Sequence, residues 1–213
     1  MSLPRLIGIN GKMGAGKDTL ADHLVHHFGF VKYSLAAPMK KLLNDRFGWT
    51  EKMWEDRAWK EHETKDCGAR VIPSRWESYP GMTGFEREYF SPRSWAQWLG
   101  TEVGRYIGGN DVWLNMMATE WEYLNSSNEE TFGSLPCMVI PDVRFENEAR
   151  RIREYGGVII RVVRSPEVVA SGHVSECGIS DELVNVQVTG VSGEIDAYLT
   201  EAVAALAQCP RGT

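Results

Sequence analysis

Cysteine is scarce in this chain, with four in 213 residues. Cys67, Cys137, Cys177 and Cys209 stand far apart and form no C-x-x-C pair, so their spacing supports neither a zinc site nor a disulfide framework; they read as reduced thiols. Long apolar runs are missing too. Nothing approaches the roughly 20 residues that span a bilayer, and no signal-peptide stretch opens the chain, so a cytoplasmic protein away from membranes is expected. Positive charge is in deficit, since 23 Lys and Arg face 29 Asp and Glu for a net charge of −6. That balance argues against broad nucleic-acid binding, and any phosphate the protein handles is expected in a local pocket of Lys and Arg, as suits a small ligand. There is no internal repeat and no low-complexity tract. The rest of the composition, 43% hydrophobic and 24% charged, is ordinary for a soluble chain with one sizeable core. Residues 1–213 are read as a single domain with insertions.

What is present is concentrated near the start. A short apolar run, Leu6 to Ile9, leads through Asn10 into Gly11-Lys12-Met13-Gly14-Ala15-Gly16-Lys17-Asp18-Thr19 and then an amphipathic segment reaching about Phe28. This reads as strand, phosphate loop and helix. The Gly11-x-x-x-x-Gly16-Lys17 spacing lets successive backbone N–H groups converge on an anion, because glycine tolerates the curl and leaves room for close approach. The helix then aims its positive end at the same anion. A hydroxyl normally follows the lysine to bind Mg²⁺, but here Asp18 takes that place and Thr19 comes next. Asp18 could hold the metal through water or cap the helix. The plainer alternative is a glycine-rich turn that binds nothing.

Further along, Phe30 to Ser34 is a β-prone run, and Ala37 to Leu43 begins a helix with Pro38 in its first turn, which gives a βαβα opening. From about 49 to 91 the periodicity breaks up around Pro73, Pro80, Gly81 and Gly84, an insertion in which Trp49, Trp54, Trp59 and Trp76 are most simply packing anchors, the alternative being that one or more stack on a base where the insertion faces the cleft. Ser91 to Arg105 has a Ser cap, a Pro at the first position and Trp95, Trp98, Leu99 and Val103 at helical spacing. Arg93 and Gln97 share the opposite face, where they could meet a phosphate and a base edge; solvated polarity is the ordinary reading of such a face.

A helix opening at Asp111 runs to the polar break near Asn125, and then Cys137 to Ile140 is an apolar run ending in Pro141-Asp142-Val143-Arg144. A buried parallel strand that ends in an acid delivers a carboxylate to the sheet edge beside the phosphate loop, which makes Asp142 a candidate Walker-B-type acid and Arg144 a candidate contact for a transferred phosphoryl group. A strand ending at a capped turn is the alternative. Glu146 to Tyr155 reads as a helix, Val158 to Val163 as a buried strand, residues 164–182 as a lid-like segment, Leu183 to Val188 as a last strand and Ile195 to Leu206 as a closing helix.

Four motifs together, Gly11 to Thr19, Ser-Pro-Arg-x-x-x-Gln-x-x-Gly-Thr-Glu-x-x-Arg at Ser91 to Arg105, Asp-x-Arg-Phe-x-Asn-Glu-Ala at Asp142 to Ala149, and His173-Val174-Ser175-Glu176, resemble the bacteriophage-type deoxynucleoside monophosphate kinases. The resemblance implies an α/β P-loop fold, a parallel sheet flanked by helices, and transfer of the γ-phosphoryl of ATP to a deoxynucleoside monophosphate with Mg²⁺. Carried over by motif, Gly11 to Thr19 would hold the ATP phosphates and Arg93, Gln97 and Arg105 the monophosphate. Asp142 and Arg144 would lie at their junction, with Lys17, Asp142 and Arg144 as the catalytic set. Arg161, Arg164 and His173 would be lid-side residues. Asp18 matches that family motif. The rivals are another small-molecule P-loop kinase, acting for example on a coenzyme or mevalonate phosphate, and a nucleotide-binding regulatory module. A homodimer is one possible assembly on which the sequence is silent.

Overall fold

Five short strands, each rich in β-branched residues, carry the site. In chain order they and the helices are β1 (Leu6–Asn10), α1 (Lys17–Phe28), β2 (Val31–Lys32), α2 (Ala37–Phe47), α3 (Arg57–Glu61), α4 (Pro92–Gln97), α5 (Tyr106–Gly108), α6 (Val112–Asn128), β3 (Met138–Val143), α7 (Glu146–Glu154), β4 (Val158–Ser165), β5 (Val186–Val191) and α8 (Ile195–Ala207). The computed structural model describes residues 2–62, 91–128, 136–165, 178–191 and 193–209. The chain divides into two units, one of Met1–Leu35 with Met117–Thr213 and one of Ala36–Met116. Most of the proposed insertion and of the lid-like segment, including His173, lies outside the described residues. No helix among the described residues is long and apolar enough to cross a membrane.

The first unit is a parallel sheet in the order β2-β3-β1-β4-β5. All four strand pairs are parallel. On one face Leu20, Ala21 and Leu24 of α1 and Ala202, Val203 and Leu206 of α8 join Ile7, Ile9, Val139, Ile160 and Val162 in a single cluster. Each Leu, Ile or Val among these side chains contributes about 1.5–3 kcal/mol on removal from water. On the other face α7 comes so close that a Cβ on Gly8 would stand 2.9 Å from Ile152 Cδ1 and 2.7 Å from Ile159 Cδ1. Cover on both faces explains why β1 and β3 read as unbroken apolar runs.

Two strands depart from the sequence expectation. β3 runs in step with β1 from Leu6↔Met138 to Gly8↔Ile140 and then shifts, pairing Asn10 with Val143. The extra residue falls at Pro141-Asp142, where a proline has no N–H to give to the ladder. β5 begins at Val186 rather than Leu183, because Asp181–Leu183 forms a 3₁₀ turn and Asn185 occupies the first rung itself, its Oδ1 accepting from Ile159 N at 2.8 Å.

The second unit has its own core of Met39, Leu43, Trp54 and Trp113, with Phe47, Trp49, Trp59 and Trp95 against it. Trp49, Trp54 and Trp59 meet edge to face, with centroids 5.1–5.6 Å apart, so these tryptophans pack as anchors. Ser91 caps α4 as expected, its Oγ accepting from Ser94 N at 3.1 Å. Beyond Gln97, however, the helix is not the continuous α-helix that its periodicity suggests: Trp98–Arg105 is a π-helix. Trp113 supplies the reason. Its Nε1 donates to the Gly100 carbonyl at 2.8 Å, and its ring fills the space over Gly104, where a Cβ would lie 2.3 Å from Cζ2.

Candidate functional site

The phosphate loop joins β1 to α1. Gly11 has φ +151° and a Cβ there would stand 2.3 Å from the Val162 carbonyl oxygen, so only glycine lets the loop leave β1 this close to β4. Gly16, the N-cap of α1, has φ 102°. Within the loop Ala15 N donates to Lys12 O at 3.2 Å, and Lys17 Nζ donates to the same carbonyl at 2.7 Å. Two residues from distant elements fasten the loop. Tyr198 of α8 donates its hydroxyl to Gly16 O at 3.1 Å, and Arg164 at the end of β4 donates from Nη1 to Gly14 O at 2.8 Å. The loop therefore brings together the positive end of α1, Lys17 and the Arg164 guanidinium, all suited to a polyphosphate.

Asp18 is 80% exposed on the first turn of α1, with Lys32 Nζ 3.4 Å away. The same ammonium is 2.8 Å from Asp22 Oδ1. Burial alone would lower the Lys32 pKa, but the two carboxylates outweigh it and raise it.

At the C-terminal edge of β3 Asp142 is half-buried, and its carboxylate accepts from Ser34 Oγ at 2.6 Å and from Leu35 N at 3.0 Å. The bulge at Pro141-Asp142 breaks the alternation: Val143 packs against Gly8 on the α7 side, the face that Asp142 would share with Met138 and Ile140 in an unshifted strand. Asp142 thereby fastens the turn after β2. Burial, with the Glu120 and Asp142 carboxylates nearby, pushes the neighbouring Tyr33 hydroxyl up to about 12. Arg144 follows on the exposed exit from the strand, its backbone N–H donating to Glu148 Oε2 at 2.7 Å.

Arg161 is committed to protein partners: Nε donates to Asn10 Oδ1 at 3.3 Å, Nη2 to the Ile179 carbonyl at 2.5 Å, and Nη1 pairs with Asp181. It braces the segment before β5, whereas Arg164 reaches the phosphate loop. In the second unit Arg93, Gln97 and Arg105 are each half-buried. Arg93 Nε lies 2.6 Å from Glu61 Oε1 in an ion pair. Arg105 closes the π-helix, whose i→i+5 bonds shift it in phase relative to Arg93 and Gln97 from the position an α-helix would give.

Sequence reasoning missed Asn10, Lys32, Ser34, Glu148 and Tyr198. Only Glu148 carried a local signal, the acid at the third position of a helix, and Phe145 at the N-cap hides it because a capping box is recognised by Ser or Thr there.

Residues 5–72 and 76–197 match the family model described as deoxynucleotide monophosphate kinase. A protein of Acanthamoeba polyphaga mimivirus that carries the same kinase name provisionally is 30% identical over 178 residues, covering 80% of each chain. The deoxynucleoside-5′-monophosphate kinase of Escherichia phage T5 is 25% identical over 231 residues, covering 84% of this chain and 89% of that one. The deoxynucleotide monophosphate kinase of Enterobacteria phage T4 is 24% identical over 217 residues, covering 82% and 88%. Among solved structures, an unliganded sugar kinase of Janibacter sp. covers 97% of this chain at 12% identity with a TM-score of 0.42.

Proposed function

The chain belongs to the deoxynucleotide monophosphate kinase family, and from that premise we propose that it transfers the γ-phosphoryl of ATP, with Mg²⁺, to a deoxynucleoside monophosphate to give the diphosphate and ADP. The observation that carries the donor half is the loop itself, with Lys17 at the start of α1 and Arg164 on Gly14 O. These residues fit a nucleoside triphosphate, because glycines at 11, 14 and 16 have positive φ and, among the described residues and apart from its own chain neighbours, nothing stands within 4 Å of where a Cβ of Gly14 would be. They fit magnesium as well. A hard cation that keeps water and nucleotide phosphates as ligands needs only one or two protein oxygens, and the first turn of α1 presents Asp18 and Thr19, both exposed. When bound, the metal would neutralise charge on the phosphates.

Little covalent work falls to the protein, since an acceptor phosphate oxygen is already anionic and attacks directly. Its residues hold the two groups in line and offset charge in the transition state, with Lys17 on the donor phosphates and Arg144 on the group in transfer. Asp142 keeps the β2 turn in place through Ser34 and Leu35. Arg93 and Arg105 would take the acceptor phosphate and Gln97 a base edge; the Glu61 pair would hold Arg93 ready for that anion.

The test is incubation with ATP and Mg²⁺ against a panel of ribo- and deoxynucleoside monophosphates, coenzyme precursors and mevalonate phosphate, with ADP and product measured. Deoxynucleoside diphosphates are expected; turnover confined to the other acceptors would replace this reading. Lys17→Ala should lower kcat by roughly a hundredfold or more in a folded protein, the loss of a charge-assisted contact in the transition state.

A further inference from the structure

Among the described residues the buried polar side chains are Asn10, Ser91 and Glu148. Ser91 caps α4, and the other two converge on one stretch of backbone. Asn10 Nδ2 donates to Val143 O at 2.9 Å. Glu148 Oε2 accepts from Arg144 N at 2.7 Å and from Phe145 N at 3.0 Å. Together with the Ser34 and Leu35 bonds to Asp142, the four residues from 142 to 145 are each held by a group from outside the strand.

A carboxylate only 4% exposed is costly to bury, and a serine, threonine or aspartate at the N-cap would satisfy the start of α7 without it. The bond to Phe145 N serves the helix. The bond to Arg144 N does not, because that amide precedes the N-cap and is not one of the orphan donors of the helix. One of these two bonds therefore goes to the backbone of the residue that bears the guanidinium, and Asn10, directly before the phosphate loop, fixes the preceding carbonyl.

We propose that Glu148 is a positioning residue for Arg144, setting the direction in which the guanidinium leaves the sheet edge. This rests on the role given to Arg144 above. A guanidinium misplaced by about 1 Å loses transition-state contact more than ground-state binding, so the effect belongs in kcat.

The experiment compares Glu148→Ala, Glu148→Gln and Arg144→Ala, and both Glu148 variants in the Arg144→Ala background, by steady-state kinetics with ATP and the best monophosphate. Glu148→Ala is expected to lower kcat about tenfold or more with little change in either KM. Glu148→Gln, whose amide oxygen can still accept both bonds without the charge, should recover most of that rate. In the Arg144→Ala background neither change should lower kcat further. Parental kcat in a folded Glu148→Ala protein overturns the proposal; if that variant does not fold, Glu148→Asp, whose shorter carboxylate cannot keep both amide bonds in place, takes its position in the comparison, and parental kcat there overturns the proposal. The same fractional loss in both backgrounds also overturns it, because a general structural defect would act regardless of Arg144. Parental kcat in Arg144→Ala overturns the role of Arg144 itself.

Discussion

Arg164 and Gly14 are joined by a hydrogen bond of 2.8 Å from the guanidinium Nη1 to the loop carbonyl. A cation from the end of β4 is thereby held over the middle of the phosphate loop. Arg164→Ala should raise the KM for ATP several-fold while leaving the KM for the monophosphate near its parental value, since a charge-assisted contact of this kind serves one ligand. Equal changes in both constants would assign Arg164 to general loop stability instead.

Asp18 stands where a hydroxyl usually binds magnesium, with Lys32 3.4 Å away. If its carboxylate organises the metal through water, Asp18→Asn raises the Mg²⁺ concentration needed for half-maximal rate. An unchanged Mg²⁺ titration would leave the Lys32 pair and the helix terminus as its partners.

Gly104 has no room for a side chain, because its Cβ would meet Trp113 Cζ2 at 2.3 Å. Gly104→Ala should destabilise the protein by about 1–3 kcal/mol, as overpacking against a rigid ring does. Trp113→Phe should cost about 1 kcal/mol by leaving the Gly100 carbonyl without the indole donor. Thermal and denaturant midpoints measure both. Parental stability in Gly104→Ala would mean that the π-helix relaxes around the new methyl.

Tyr33 holds its proton more tightly in the folded protein, with its pKa raised from 10.0 to about 12 mainly by burial. Its contribution to stability is therefore complete below about pH 10 and is lost as the pH climbs through 12. Tyr33→Phe should reduce the fall in Tm across that window, while Tyr198, raised in the same direction by burial, keeps part of it. An identical fall in parent and variant would show that Tyr33 is not linked to folding.

Much of this protein is written locally. The Gly11 to Thr19 spacing specifies the phosphate loop, because glycine at positive φ and a lysine opening a helix are requirements of the chain itself. Apolar runs specify β1, β3 and β4, and the Ser91-Pro92 pair starts α4 where its capping chemistry dictates. Tertiary structure decided the rest. Asp142 faces the turn after β2 because a bulge shifts its strand, and its partners Ser34 and Leu35 lie more than a hundred residues away in sequence. The helix beyond Gln97 widens because Trp113 occupies the space and claims the Gly100 carbonyl. Arg161 and Arg164 look alike in the sequence of β4, yet one braces Asn10 and Ile179 and the other reaches Gly14. Periodicity and turn chemistry encode what a residue's near neighbours require of it; which distant group it finally meets is fixed only when the packed sheet brings the strand ends together.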